Sequence, residues 1–169
     1  MLECFYPKEY VDSVHIINFE KFYEKGYRGI LFDIDNTIVP HGAPADEKAV
    51  KLFARLKEIG YNVCVMSNNK EPRVKSFAVS VGCEYIYKAG KPKVSAYQNG
   101  MKKTGTTVED TLFVGDQIFT DVYGANRAGL YAVLVKPIHP KEEIQIVLKR
   151  YLEKIVLYFY KKKMKKAEK

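Results

Sequence analysis

The chain has 169 residues, 47% of them hydrophobic, which is enough for one domain with a sizeable core. Its formal charge of +8 is uneven: Lys161, Lys162, Lys163, Lys165, Lys166 and Lys169, offset by Glu168, account for +5, leaving +3 for residues 1–160. So mildly basic a body argues against a broad nucleic-acid surface. Cys4, Cys64 and Cys83 fit no disulfide framework and no close-spaced metal motif, and they suit a reducing compartment.

Nowhere do ~18 apolar residues run together. The opening Met1-Leu2-Glu3-Cys4-Phe5 has neither a basic region nor a long apolar stretch. A soluble, cytoplasmic protein is therefore expected.

In chain order, Asn18 reads as the N-cap of a helix that ends before Gly26. Residues 27–32 form a short apolar strand that stops abruptly at Asp33. A helix is expected over 46–59, with Val50, Phe53, Ala54 and Leu56 as its apolar stripe and Gly60 as its stop. The strand 62–66 ends at Ser67-Asn68-Asn69. Pro72 suits a first helical position, and that helix runs to Gly82. A short strand follows at 85–87, then the loop Ala89-Gly90-Lys91-Pro92, then a helix over 95–103. The strand 111–114 ends at Gly115-Asp116, the helix 121–128 stops at Gly129, and 131–135 make a last strand.

Strict alternation of β and α with short connections predicts a parallel sheet of about five strands covered by helices on both faces, a three-layer α/β/α arrangement. The gaps from Asp33 to Ser67 and from Ser67 to Lys91 leave no room for a large cap domain. Residues 1–140 are expected to form the core with an N-terminal helical extension, and 141–169 an amphipathic helix with a lysine-rich tail. Apolar residues Ile144, Val147, Leu148, Tyr151, Leu152 and Ile155 make a helical stripe in that segment. It is expected either to pack on the sheet or a second copy, or to lie on an anionic membrane through residues 144–166.

The polar residues collect where strands end. Asp33 and Asp35, Ser67 and Asn68, Lys91, and Asp116 with Asp121 all follow a strand at its carboxyl end, where ligands bind in open α/β sheets. Two acids at i and i+2 point the same way while a strand lasts, and a cation or a shared proton relieves their repulsion. Three carboxylates with no clustered histidine or cysteine specify a hard cation such as Mg²⁺. A carboxylate can attack phosphorus, a second can move the leaving-group proton, and a hydroxyl, an amide and a lysine can hold the remaining oxygens.

Asp33-x-Asp35-Asn36-Thr37, Ser67-Asn68, Lys91-Pro92 and Gly115-Asp116-x₄-Asp121 resemble, in order, the four motifs of the haloacid dehalogenase (HAD) superfamily of phosphatases. More narrowly, Phe-Asp-Ile-Asp-Asn-Thr-Ile-Val, the Ser-Asn-Asn turn and Gly-Asp-Gln-Ile-Phe-Thr-Asp are similar to the YqeG group within it. The resemblance implies a Rossmann-like fold and an aspartyl-phosphate mechanism, with Asp33 as nucleophile and Asp35 as general acid/base. It implies that Ser67, Asn68 and Lys91 bind the phosphoryl group. Asp33, the Asp35 carbonyl and Asp116 would hold Mg²⁺, with Thr37 and Asp121 in support. Relatives of that group include phosphatidylglycerophosphate phosphatases, so a phospholipid headgroup joins the phosphomonoesters expected as substrates. A soluble phosphometabolite, a receiver-like signalling role and an RNA- or ribosome-associated role are the alternatives.

Overall fold

The computed structural model describes residues 2–139 and 144–167. The 140/141 boundary between core and tail, the side chain of Ile144, and Glu168 and Lys169 lie outside the described residues. In chain order the strands are β1 (Glu9–Val11), β2 (Gly29–Phe32), β3 (Asn62–Met66), β4 (Glu84–Ile86), β5 (Thr111–Gly115) and β6 (Tyr131–Val135). The α-helices are α1 (Phe19–Glu24), α2 (Glu47–Ile59), α3 (Glu71–Val81), α4 (Val94–Thr104), α5 (Tyr123–Arg127) and α6 (Ile144–Ala167). A π-helical turn, Ile118–Val122, leads into α5.

All strand pairs are parallel, in the order β1-β6-β5-β2-β3-β4. From β2 the chain steps outward through β3 and β4, then returns to β5 on the other side. The end of β2 is thus the topological switch point, where an open parallel sheet leaves a crevice.

Alternation along the central strands sorts side chains between two cores. Ile30, Phe32, Val65, Leu112 and Val114 pack with Phe19 of α1, Leu52, Phe53 and Leu56 of α2, and Val74 and Phe77 of α3. Leu31, Cys64, Met66 and Phe113 face the other way, onto Ala96, Tyr97 and Met101 of α4, Ala125 of α5 and Val156 of α6. Burial on both faces is why these strands read as unbroken apolar runs.

Helix ends follow local chemistry. Asn18 Oδ1 accepts from Lys21 N–H at 2.9 Å, and Asp46 Oδ1 from Ala49 N–H at 2.8 Å. Gly60, at φ 110°, closes α2 in a left-handed conformation, its N–H directed to the Leu56 and Lys57 carbonyls.

Four expectations change. The sheet has six strands, the extra one being edge strand β1, three half-buried residues beside β6 with no apolar run to announce them. The buried face of α2 is Ala49, Leu52, Phe53 and Leu56, whereas Val50 and Ala54 are exposed. The helix expected from Asp121 begins earlier, as the π-turn at Ile118. The apolar stripe of α6 also faces outward: Leu148 is 71% exposed, Tyr151 63%, and Leu152 and Ile155 54% each. What α6 presents to the core is Arg150, Glu153, Val156 and Tyr160, with the Tyr160 ring 5.6 Å from that of Tyr6.

Candidate active site

Asp33 continues β2, its N–H donating to the Val114 carbonyl at 2.9 Å, and its carboxylate is buried beyond the strand end. Ser67 follows β3 and is buried; its N–H reaches the Ile86 carbonyl at 3.0 Å, and its Oγ accepts from Asn69 N–H at 3.1 Å. Asp116 follows β5, and Lys91 arrives on the loop after β4. The four junctions lie along the carboxyl edge of one parallel sheet.

Lys91 organises the centre. Its ammonium donates to Asp33 Oδ1 at 2.5 Å and to Asp121 Oδ1 at 2.7 Å, all three side chains being buried. Asp121 spends its other oxygen on Gln117 N–H, at 3.0 Å, which leaves it supporting the site. Gly115 permits this approach, because a Cβ there would come 2.5 Å from Asp121 Oδ2. The Thr37 hydroxyl lies between Asp33 Oδ2, at 3.3 Å, and Asp116 Oδ1, at 3.2 Å.

Asn68 is placed differently from Ser67. Its Oδ1 accepts from the N–H groups of Gly90 and Lys91, both at 2.9 Å, and its Nδ2 donates to the Lys91 carbonyl at 3.1 Å. With both polar atoms engaged, it builds the loop that delivers Lys91.

Asp35 does not point with Asp33. The strand ends at Phe32 and the chain turns through Asn36 at φ 62°, a conformation asparagine tolerates well. The Asp35 carboxylate meets Arg73 Nη2 at 2.9 Å, Gly42 N–H at 2.8 Å and Asn69 Nδ2 at 3.3 Å. Burial pushes this carboxyl up, but these hydrogen bonds and the Arg73 charge outweigh it and hold it below the ordinary range. Asn69, the last residue of the Ser-Asn-Asn turn, and Arg73, in the first turn of α3, carry no motif of their own, yet both reach Asp35.

Charges in the centre do not balance. Burial, with Asp121 and Asp35 adding repulsion against the pull of Lys91, pushes Asp33 up to about 6. Asp116 also lies well above its ordinary value, through burial and then through Asp33 and Asp121, with Arg150 opposing. Burial lowers Lys91, but Asp121 and Asp33 overcome it and hold the ammonium firmly protonated.

Oxygens of Asp33, Asp116 and Asp121 lie within 4.8 Å of one another. Among the described residues, with buried Glu153, there are four carboxylates to two cationic side chains, Lys91 and Arg150. The deficit of two positive charges and the all-oxygen donor set fit one hard divalent cation.

The family model for haloacid dehalogenase-like hydrolases matches residues 42–129. The chain belongs to this family of hydrolases. It is 36% identical over 165 residues to the "Probable phosphatase YqeG" of Bacillus subtilis, covering 96% of each chain, and it groups with the family's phosphatases. It is also 26% identical to the chloroplastic/mitochondrial phosphatidylglycerophosphate phosphatase 1 of Arabidopsis thaliana, over 95% of this chain and 49% of that one, so it spans about half of the plant enzyme. Among solved structures, the cobalt-bound deoxy-D-mannose-octulosonate 8-phosphate phosphatase of Haemophilus influenzae shares the fold, with TM-score 0.51 and 15% identity over 80% of this chain and 90% of that one. A phospho-aspartyl intermediate analogue of phosphoserine phosphatase does so with TM-score 0.50 and 19% identity, over 73% and 98% of the two chains.

Proposed function

We propose that this protein is a Mg²⁺-dependent phosphomonoesterase that works through a phosphorylated Asp33. The reading is carried by one observation: Lys91, from a distant loop, is hydrogen-bonded to Asp33 within a buried cluster that also holds Asp116 and Asp121. Asp33, Asp116 and the Asp35 carbonyl would hold the cation, whose chemistry is to offset charge on the phosphoryl oxygens.

The Asp33 carboxylate attacks phosphorus and the bond to the leaving oxygen breaks, while Asp35 supplies that oxygen with a proton. Asp35, held low by Gly42 and Arg73 at rest, first turns from them and takes up a proton to do so. In the second half-reaction Asp35 takes a proton from water as the water oxygen attacks phosphorus, and the bond to Asp33 breaks. Ser67 Oγ and the Lys91 ammonium hold the equatorial oxygens throughout.

The substrate class we infer is a phosphomonoester on a phospholipid headgroup such as phosphatidylglycerophosphate. Support comes from the similarity to the plant phosphatase and from α6. On that helix Leu148, Tyr151, Leu152, Ile155 and Tyr158 are exposed next to Lys161, Lys162, Lys163, Lys165 and Lys166. Near an anionic membrane each lysine contributes about 1 kcal/mol, and the apolar face adds insertion, so the protein would sit peripherally on the cytoplasmic leaflet.

The test is a phosphate-release screen with Mg²⁺, setting phosphatidylglycerophosphate in vesicles beside sugar and nucleotide phosphates. Preferred turnover of the lipid supports this substrate. Preference for a soluble ester moves the assignment to phosphometabolites, and no release from any ester overturns the activity.

A further inference from the structure

Arg150 lies far from the motifs in sequence, on α6, yet its guanidinium reaches the end of β5. Nη1 donates to the Asp116 carbonyl at 2.6 Å and to Glu153 Oε2 at 2.8 Å, while Nη2 bonds Asp116 Oδ2. Glu153, buried one turn further along the helix, accepts at Oε1 from Ile118 N–H at 2.7 Å. Two residues of α6 thus hold three points on residues 116–118, the segment that turns from β5 into the π-helical turn. No side chain of Gln117 caps that turn, so Glu153 satisfies an N–H that would otherwise be left without a partner.

The two oxygens of Asp116 have different surroundings. Oδ1 faces Thr37 and, beyond it, Asp33, whereas Oδ2 faces Arg150. A carboxylate that offers one oxygen to a cation keeps its aim only if the other is held. Losing a group that does this typically costs about 10- to 100-fold in metal affinity.

We propose that Arg150 is a positioning residue for the cation site: by gripping the outer oxygen and the carbonyl of Asp116 it aims the inner oxygen at Asp33, with Glu153 fixing Arg150 in turn. This rests on the reading of Asp116 as a ligand of a divalent cation. It makes α6 part of the active centre. Arg150 also sets a positive charge against the repulsion that Asp116 meets from Asp33 and Asp121, while Lys91 is hydrogen-bonded to those other two carboxylates.

The experiment is Mg²⁺ titration by calorimetry on the full chain and on R150M, R150K and E153Q, with phosphate release from a small soluble phosphomonoester at limiting and excess Mg²⁺. R150M is expected to bind Mg²⁺ about 10- to 100-fold more weakly, and to recover rate as Mg²⁺ is raised. R150K, able to reach one of the Asp116 oxygens, should regain part of the affinity. Should R150M fail to fold, E153Q, which keeps the shape but loses the charge and one of the two acceptors that hold Arg150 and Ile118 N–H, should show the same weakening to a smaller degree. Wild-type Mg²⁺ affinity in folded R150M or, failing that variant, in E153Q overturns the proposal while leaving the phosphatase reading intact. A wild-type chain that neither binds Mg²⁺ nor releases phosphate overturns both.

Discussion

Lys91 sits between Asp33 and Asp121, 2.5 Å from the first, and the pair is closed off from solvent. The attraction does not repay the burial of Asp33, whose carboxyl stays up at about 6. An ionised Asp33 is therefore a net cost to the metal-free fold, on the order of 3 kcal/mol from a shift of about two units. Asp33→Asn removes that cost while keeping the shape. In metal-free buffer at pH 7.5 the variant should unfold at or above the wild-type temperature. A clear drop in melting temperature would show that the Lys91 contact outweighs burial.

Lys91→Met has the opposite sign. It leaves Asp33 and Asp121 facing each other without their shared cation, and breaking buried pairs in this way costs about 3–5 kcal/mol. Chemical denaturation at neutral pH measures it, and because the lost Lys91 charge was holding Asp33 down, stability should begin to return above the wild-type value of about 6 as pH falls and Asp33 takes up its proton.

Cation binding should be tied to pH. Asp33 and Asp116 both bind protons more tightly than free aspartates, through burial and mutual repulsion. A cation that needs them ionised must displace those protons. Apparent Mg²⁺ affinity should rise as pH climbs through the Asp33 value of about 6, with proton release visible as a dependence of the calorimetric enthalpy on buffer. A flat profile would mean the carboxylates are already ionised.

Asp35 should reveal itself through the leaving group. An alkoxide leaving group needs a proton, which Asp35 would deliver in the proposed mechanism, and p-nitrophenolate does not. Asp35→Asn should slow release from an alkyl phosphate about 10²–10⁴-fold and affect p-nitrophenyl phosphate much less. Equal losses on both esters would assign Asp35 a structural role through Arg73 and Gly42.

The outward face of α6 predicts binding to anionic vesicles that weakens with salt. The double variant Leu148→Gln, Leu152→Gln should lose most of it without changing turnover of a soluble ester, since both side chains are exposed. Retained binding in that variant, read by co-sedimentation, would leave the lysines as the whole of the attachment.

Three junctions of the candidate site are legible because an apolar run is cut off there by a polar side chain, whereas Lys91 and Asp121 follow no such run. Phe32 then Asp33, Met66 then Ser67, and Gly115 then Asp116 mark strand ends with no reference to tertiary structure. What stayed hidden depends on orientation. Edge strand β1 is three half-buried residues whose pairing with β6 carries no periodicity. In α6 the apolar stripe was the stronger signal but points away from the core, while the Arg150–Glu153 pair, spaced i and i+3, is the face that docks. Asp35 was expected beside Asp33 because alternation was extended past Phe32, where the strand has already ended.

In the proposed reaction the Asp33 carboxylate is the group that attacks phosphorus. The most direct measurement is Mg²⁺-dependent phosphate release by wild type and Asp33→Asn on the same phosphomonoester, with both proteins shown folded. Release by the wild type and none above background from the variant is the predicted result; equal rates would contradict it.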